Sequence, residues 1–174
     1  LKTDGEISED DLVSLSRCDF LLALSERAKG NTDDAIQLFI SAVDQLLNVK
    51  IASPDPPRSQ RFALATYYGE LADTLALGGN RAESDTSNNE AIDLLLDLVE
   101  EANFNTGYTF ELSRRYSAKA ANLRDAGKGN EARASQADAI AILRDILKFH
   151  PKRFDVRLEL ALQLGDMMDL YADL

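Results

Sequence analysis

Three glycines, Gly30, Gly79 and Gly127, recur at steps of 49 and 48 residues, and each lies between two long stretches of helical apolar spacing. Glycine takes the left-handed backbone that ends a helix without steric penalty. The flanking residues keep the same register. Ala23, Ala72 and Ala120 precede the three glycines by seven positions. Ala42, Ala91 and Ala139 follow them by twelve, and Ala35 and Ala132 follow the first and third by five. Small residues on both sides of a glycine turn let two antiparallel helices approach closely. A hairpin of this kind leaves an apolar flank that only a neighbouring hairpin covers, so the expected architecture is a stack of repeats.

Seven helices are expected. The first spans about 9–29, opened by a capping box of Ser8 and Asp11 with Ile7 and Leu12 as its staple. The second spans about 33–50 and stops at Pro54-Asp55-Pro56-Pro57, which leads into a third over about 58–77. Asn80 and Glu83 cap a fourth helix reaching about 102, and 103–107 form a loop. The fifth ends near 126 and the sixth near 149. His150-Pro151 marks the next turn, and the seventh helix runs to the end. Ile92, Leu95, Leu96 and Val99 in the fourth helix, and Ile140, Leu143 and Leu147 in the sixth, recur at three- and four-residue steps. Helical content above about 70% and no sheet are expected from these lengths.

The pattern of a small residue, six positions, glycine, four positions, alanine, six positions, alanine resembles the tetratricopeptide repeat. The first and third units match it at Ala23, Gly30, Ala35, Ala42 and at Ala120, Gly127, Ala132, Ala139. The second departs with Ser84, and the third carries Lys119 where a leucine is usual. The units here are about 14 residues longer than the usual 34. The segment from Tyr108 to Leu174 resembles a long-repeat variety found beside kinase domains in bacterial signalling proteins. The resemblance implies an all-α, right-handed superhelical stack of helix hairpins forming one domain over 1–174. Its repeats would cover about 8–53, 54–103 and 104–150, with a partial fourth over 151–174. The chain begins with Leu1 and is expected to be a fragment of a longer protein.

Composition narrows the function. The net charge is −11, against a nucleic-acid binder, which needs a basic face. Basic residues concentrate in 111–157, where 11 face 6 acidic ones. Cys18 is the single cysteine, so no disulfide forms within the chain, and its place in an apolar helical pattern suggests a buried, inert thiol. No apolar run approaches the roughly 20 residues of a membrane span. A cytoplasmic, soluble protein without membrane contact is expected. No cofactor and no metal site are expected, since one cysteine and one histidine make a zinc site improbable. His150 reads as a turn residue, and Gly127-Lys128-Gly129-Asn130 lacks the upstream glycine and the following hydroxyl of a phosphate loop. No catalytic residue is assigned, and an enzyme is not expected.

The resemblance implies a concave groove lined by the first helix of each hairpin. Carried over by position, it holds Arg17, Phe20, Leu24 and Arg27 from the first repeat, Thr66, Gly69, Asp73 and Ala76 from the second, Arg114, Ser117, Ala121 and Arg124 from the third, and Glu159, Leu162, Asp166 and Asp169 from the partial fourth. Guanidinium groups suit carboxylates or phosphates, so a protein or peptide partner, acidic in character, is expected; salt bridging within the fold is the competing role of these arginines. The alternative function is a structural module that self-associates. The seventh helix carries more apolar residues than one stripe buries. Ala161, Leu164 and Met168 are expected to face the sixth helix. That leaves Leu160, Met167, Leu170, Tyr171 and Leu174 for a homodimer through this terminal helix.

Overall fold

A computed structural model describes residues 8–52, 56–102 and 105–172, with only the backbone described for 50–52. Among the described residues the chain is all α, with no strand and seven helices of 19 to 21 residues packed as sequential antiparallel hairpins. They are α1 (Glu9–Ala28), α2 (Thr32–Ala52), α3 (Arg58–Leu77), α4 (Arg81–Glu101), α5 (Thr106–Asp125), α6 (Gly129–Phe149) and α7 (Phe154–Ala172). The chain forms two compact units, 1–84 and 85–174, whose boundary falls in α4. Ile7, Pro54, Asp55, Asn103 and Leu174, which figure in the sequence reading, lie outside the described residues.

The three glycine turns share one geometry. Gly30, Gly79 and Gly127 have φ of 86°, 82° and 75°. At each, the residue after the glycine donates its backbone N–H five residues back: Asn31 to Glu26, Asn80 to Leu75 and Lys128 to Leu123, at 2.8–3.0 Å. The glycine itself donates three residues back, to Arg27, Ala76 and Arg124. This double bond pattern satisfies the last carbonyls of α1, α3 and α5 and requires positive φ at its hinge. The starts of α1 and α5 use side chains, whereas those of α3 and α6 have no side-chain cap. Ser8 Oγ accepts from the Asp11 N–H at 3.2 Å and donates to the Asp11 carboxylate. Asn105 Oδ1 accepts from the Gly107 N–H at 2.9 Å.

In unit 1, α1 and α2 pack antiparallel and α3 lies along α2. Ala23, Ala35 and Ala42 are fully buried at the hairpin contact, as the register requires, with Phe39 and Val49 behind them. In unit 2, α5 pairs with α6, and α6 with α7. Ala120, Ala132 and Ala139 are buried there, and Leu143, Ile146 and Val156 form a buried cluster against which Phe110, Ile142, Leu147 and Leu160 pack. Fully burying each such large side chain contributes about 1.5–3 kcal/mol before chain entropy is charged.

Three expectations are corrected. In α4, Ile92 and Leu95 are buried as the spacing requires, but the stripe continues through Ala91 and Leu98 and leaves Leu96 exposed. Cys18 is exposed, lying with Leu15 and Leu22 on the side of α1 turned away from α2. In α7 the buried side is the reverse of that expected. Val156, Gln163 and Leu170 are buried and Leu160 and Met167 are half-buried. Ala161, Leu164 and Met168 are exposed, Met168 at 73%. The helix carries two apolar stripes on opposite sides. The one at alternating four- and three-residue steps from Val156 to Leu170 forms a continuous seam against unit 2, and apolar count alone does not rank the two.

Candidate functional site

Unit 1 has a groove of about 440 Å³ between α1 and α3. Val13, Arg17, Phe20 and Leu21 line it from α1, and Gln60, Ala63 and Tyr67 from α3. Residues 13, 17, 20 and 21 share one side of α1 because they recur at helical spacing. The floor is aromatic. The Phe20 ring stacks on Tyr67 with centroids 4.1 Å apart and planes 13° from parallel, and meets the buried Phe39 edge-on at 5.6 Å. Burial pushes the Tyr67 hydroxyl above its usual pKa, opposed by a hydrogen bond with Ser16 and the positive charge of Arg17. Tyr67 is therefore a neutral phenol across the physiological range.

Arg17 stands exposed at the mouth of this groove and takes part in no ion pair among the described residues. The groove thus offers an apolar, stackable floor beside an available guanidinium. That combination suits a side chain of moderate size carried next to a carboxylate. Among the described residues, no group of three or more His, Cys, Asp or Glu side chains is placed to hold a metal ion.

The other candidates separate. Leu24 is half-buried, outside the groove lining. Arg27 is committed to the fold: it pairs with Glu70 at 2.5 Å, donates to Thr74 Oγ1 at 3.2 Å and lies 5.6 Å above the Phe39 ring. In unit 2, Ser117 and Arg124 line a smaller cavity of about 90 Å³ together with Asp166 and Leu170. Arg114 lies outside that lining and pairs with Glu111 at 3.2 Å along its own helix. Asp166 sets a negative charge in the same cavity as Arg124, which disfavours an acidic ligand there. On α7, Leu170 is buried and Leu160 and Met167 face the interior of unit 2. Tyr171 is exposed, with Arg133 5.7 Å from its ring.

Tyr67 and Ala63 escape a reading of the sequence by repeat position. That reading places Thr66, Gly69, Asp73 and Ala76 in the groove, and Gly69 is buried. Phe20 and Tyr67 occupy non-equivalent positions of their repeats, so their pairing has no periodic signal.

The fold and these clefts define an all-α helical repeat protein. Among solved structures, the chain is similar to the de novo designed helical repeat protein DHR64, with 12% identity and a TM-score of 0.41, over 94% of this chain and 84% of that one. No protein-family model matches the chain, and no curated protein matches it. Among the described residues, no helix is long and apolar enough to cross a membrane.

Proposed function

We propose that the chain is a non-catalytic, tetratricopeptide-type scaffold that binds an acidic peptide or protein segment in the groove between α1 and α3. The observation that carries this reading is the exposed Arg17 beside the stacked Phe20 and Tyr67 rings. An apolar side chain of the ligand covers the rings, and an adjacent carboxylate pairs with Arg17. The repeat register of Ala23, Gly30, Ala35 and Ala42 supports the tetratricopeptide assignment. The resemblance of residues 108–174 to repeats beside bacterial kinase domains supports a regulatory role in a signalling protein.

The test is fluorescence anisotropy with short peptides carrying a Phe or Leu next to Asp or Glu. Binding should weaken with salt. Phe20→Ala and Arg17→Ala should each reduce affinity by about tenfold, equivalent to about 1.4 kcal/mol, with helicity unchanged. Equal binding by Arg17→Ala would remove the groove from consideration.

A further inference from the structure

The cavity of about 90 Å³ in unit 2 has walls from three helices that pack on one another. Ser117, Ala121 and Arg124 recur at four- and three-residue steps along one side of α5, Asp166 and Leu170 stand one turn apart on α7, and Gln136 comes from α6. The two charges in it are opposite and do not pair with each other. The Asp166 carboxylate takes part in no ion pair and no side-chain hydrogen bond among the described residues. Arg124 reaches only its neighbour Asp125, at 4.0 Å. Gln136 is 1% exposed. Its Nε2 donates to the Gln163 carbonyl at 2.8 Å, while its Oε1 accepts nothing among the described residues. An amide oxygen held this deep calls for a donor, and the cavity that Gln136 lines is where one can enter.

We infer that this cavity binds a free α-amino acid of small side chain, its carboxylate on Arg124 and its ammonium on Asp166, Gln136 and Ser117. The charges select the class. A ligand of one sign pairs with one wall and is repelled by the other, and a neutral ligand satisfies neither; a zwitterion satisfies both. The planar fork of Arg124 matches a carboxylate through two parallel hydrogen bonds. An ammonium group has three donors, and the Asp166 carboxylate, Gln136 Oε1 and the Ser117 hydroxyl supply three acceptors. Size sets the side chain. A volume of about 90 Å³ is far below the roughly 300–1,000 Å³ of a drug-sized site, and Ala121 and Leu170 leave an apolar wall suited to a hydrogen or a methyl group. The site lies wholly within unit 2 and does not depend on the ligand of the α1–α3 groove.

Amide chemical shifts of the whole chain, titrated with glycine, L-alanine, acetate, methylammonium and glycylglycine, test the assignment. Glycine and L-alanine should shift amides near Ser117, Arg124 and Asp166 with a Kd of about 1 mM, and acetate and methylammonium should bind at least about tenfold more weakly. Arg124 and Asp166 are exposed, so substitutions there should leave helicity unchanged. Asp166→Asn should bring glycine down to the level of acetate, and Arg124→Gln should bring it down to the level of methylammonium. Ala121→Leu, which fills the cavity from an exposed position, should abolish binding of both amino acids. No shift up to about 10 mM glycine, tenfold above the expected Kd, would overturn the inference. So would acetate binding the parent as tightly as glycine, or glycine binding that is indifferent to all three substitutions. Tighter binding of glycylglycine than of glycine would also overturn it, by assigning the cavity to the ends of a peptide.

Discussion

The side-chain amide of Gln136 donates a 2.8 Å hydrogen bond to the backbone carbonyl of Gln163, tying α6 to α7 inside the core of unit 2. Asn88, 48 residues earlier, makes the same contact to the Arg115 carbonyl at 3.0 Å. All four residues are buried. The second and third repeats therefore carry, where the first has Phe39, a polar residue whose amide fixes the next helix in register, in a place where an unmade bond would be costly. Gln136→Ala and Asn88→Ala should each lower stability by about 1–3 kcal/mol, read from chemical denaturation. A loss confined to one of them would show that the two contacts are not equivalent.

Glycine serves two roles that substitution separates. Gly127 has a φ of 75°, which a β-branched side chain adopts only at a cost, so Gly127→Val should destabilise by about 1–2 kcal/mol. Gly165 lies inside α7 with open space around it. Gly165→Ala should raise stability by about 0.5–1 kcal/mol. Thermal melts of the two variants moving in opposite directions would bear this out.

Arg17 and Arg27 lie on one helix ten residues apart yet should respond differently. Arg27 and Glu70 keep only 25% and 20% of their side-chain surface exposed, and Arg27 also holds Thr74. Arg27→Ala should cost about 1–2 kcal/mol, with little change in peptide affinity beyond what unfolding explains. Arg17→Ala should leave the melt unchanged. Parallel melting and binding measurements on both variants check this division.

Asp155, in the first turn of α7, contributes to the acid dependence. Hydrogen bonding from Arg153 lowers its pKa from 3.8 to about 2, with smaller help from the Val156 and Asp155 backbone N–H groups. A carboxylate depressed in the folded state contributes stability above its unfolded pKa and loses it as the pH falls through its folded value. That contribution is complete above about pH 4 and fades toward pH 2. Asp155→Asn should melt earlier than the parent at pH 7, and the gap should close on acidification through that window. A constant gap would assign the effect to something other than this ionisation.

Much of the architecture was legible because its signals are local. The turn glycines, the capping serine and the prolines act within a few residues, so α3 begins at Arg58 and ends at Leu77 as expected. The second helix extends two residues further than expected, and Asn105 proves to be a cap inside the segment read as a loop. The site was legible only in part. Phe20 and Arg17 were found by repeat position, but Tyr67 was not, because it meets Phe20 across two helices joined through the whole length of α2.

The sequence by itself determined the helices, the hairpin turns and the small residues at their contacts, since each depends on backbone conformation and steric size over one or two turns of chain. Tertiary structure alone decided which of two apolar stripes on α7 was buried and which of two arginines on α1 was committed. Both outcomes depend on partners 43 residues away for Arg27 and Glu70, and on the seam of α6 for Val156 and Leu170. Helical periodicity specifies that a face exists; only the neighbouring helix determines whether it is covered.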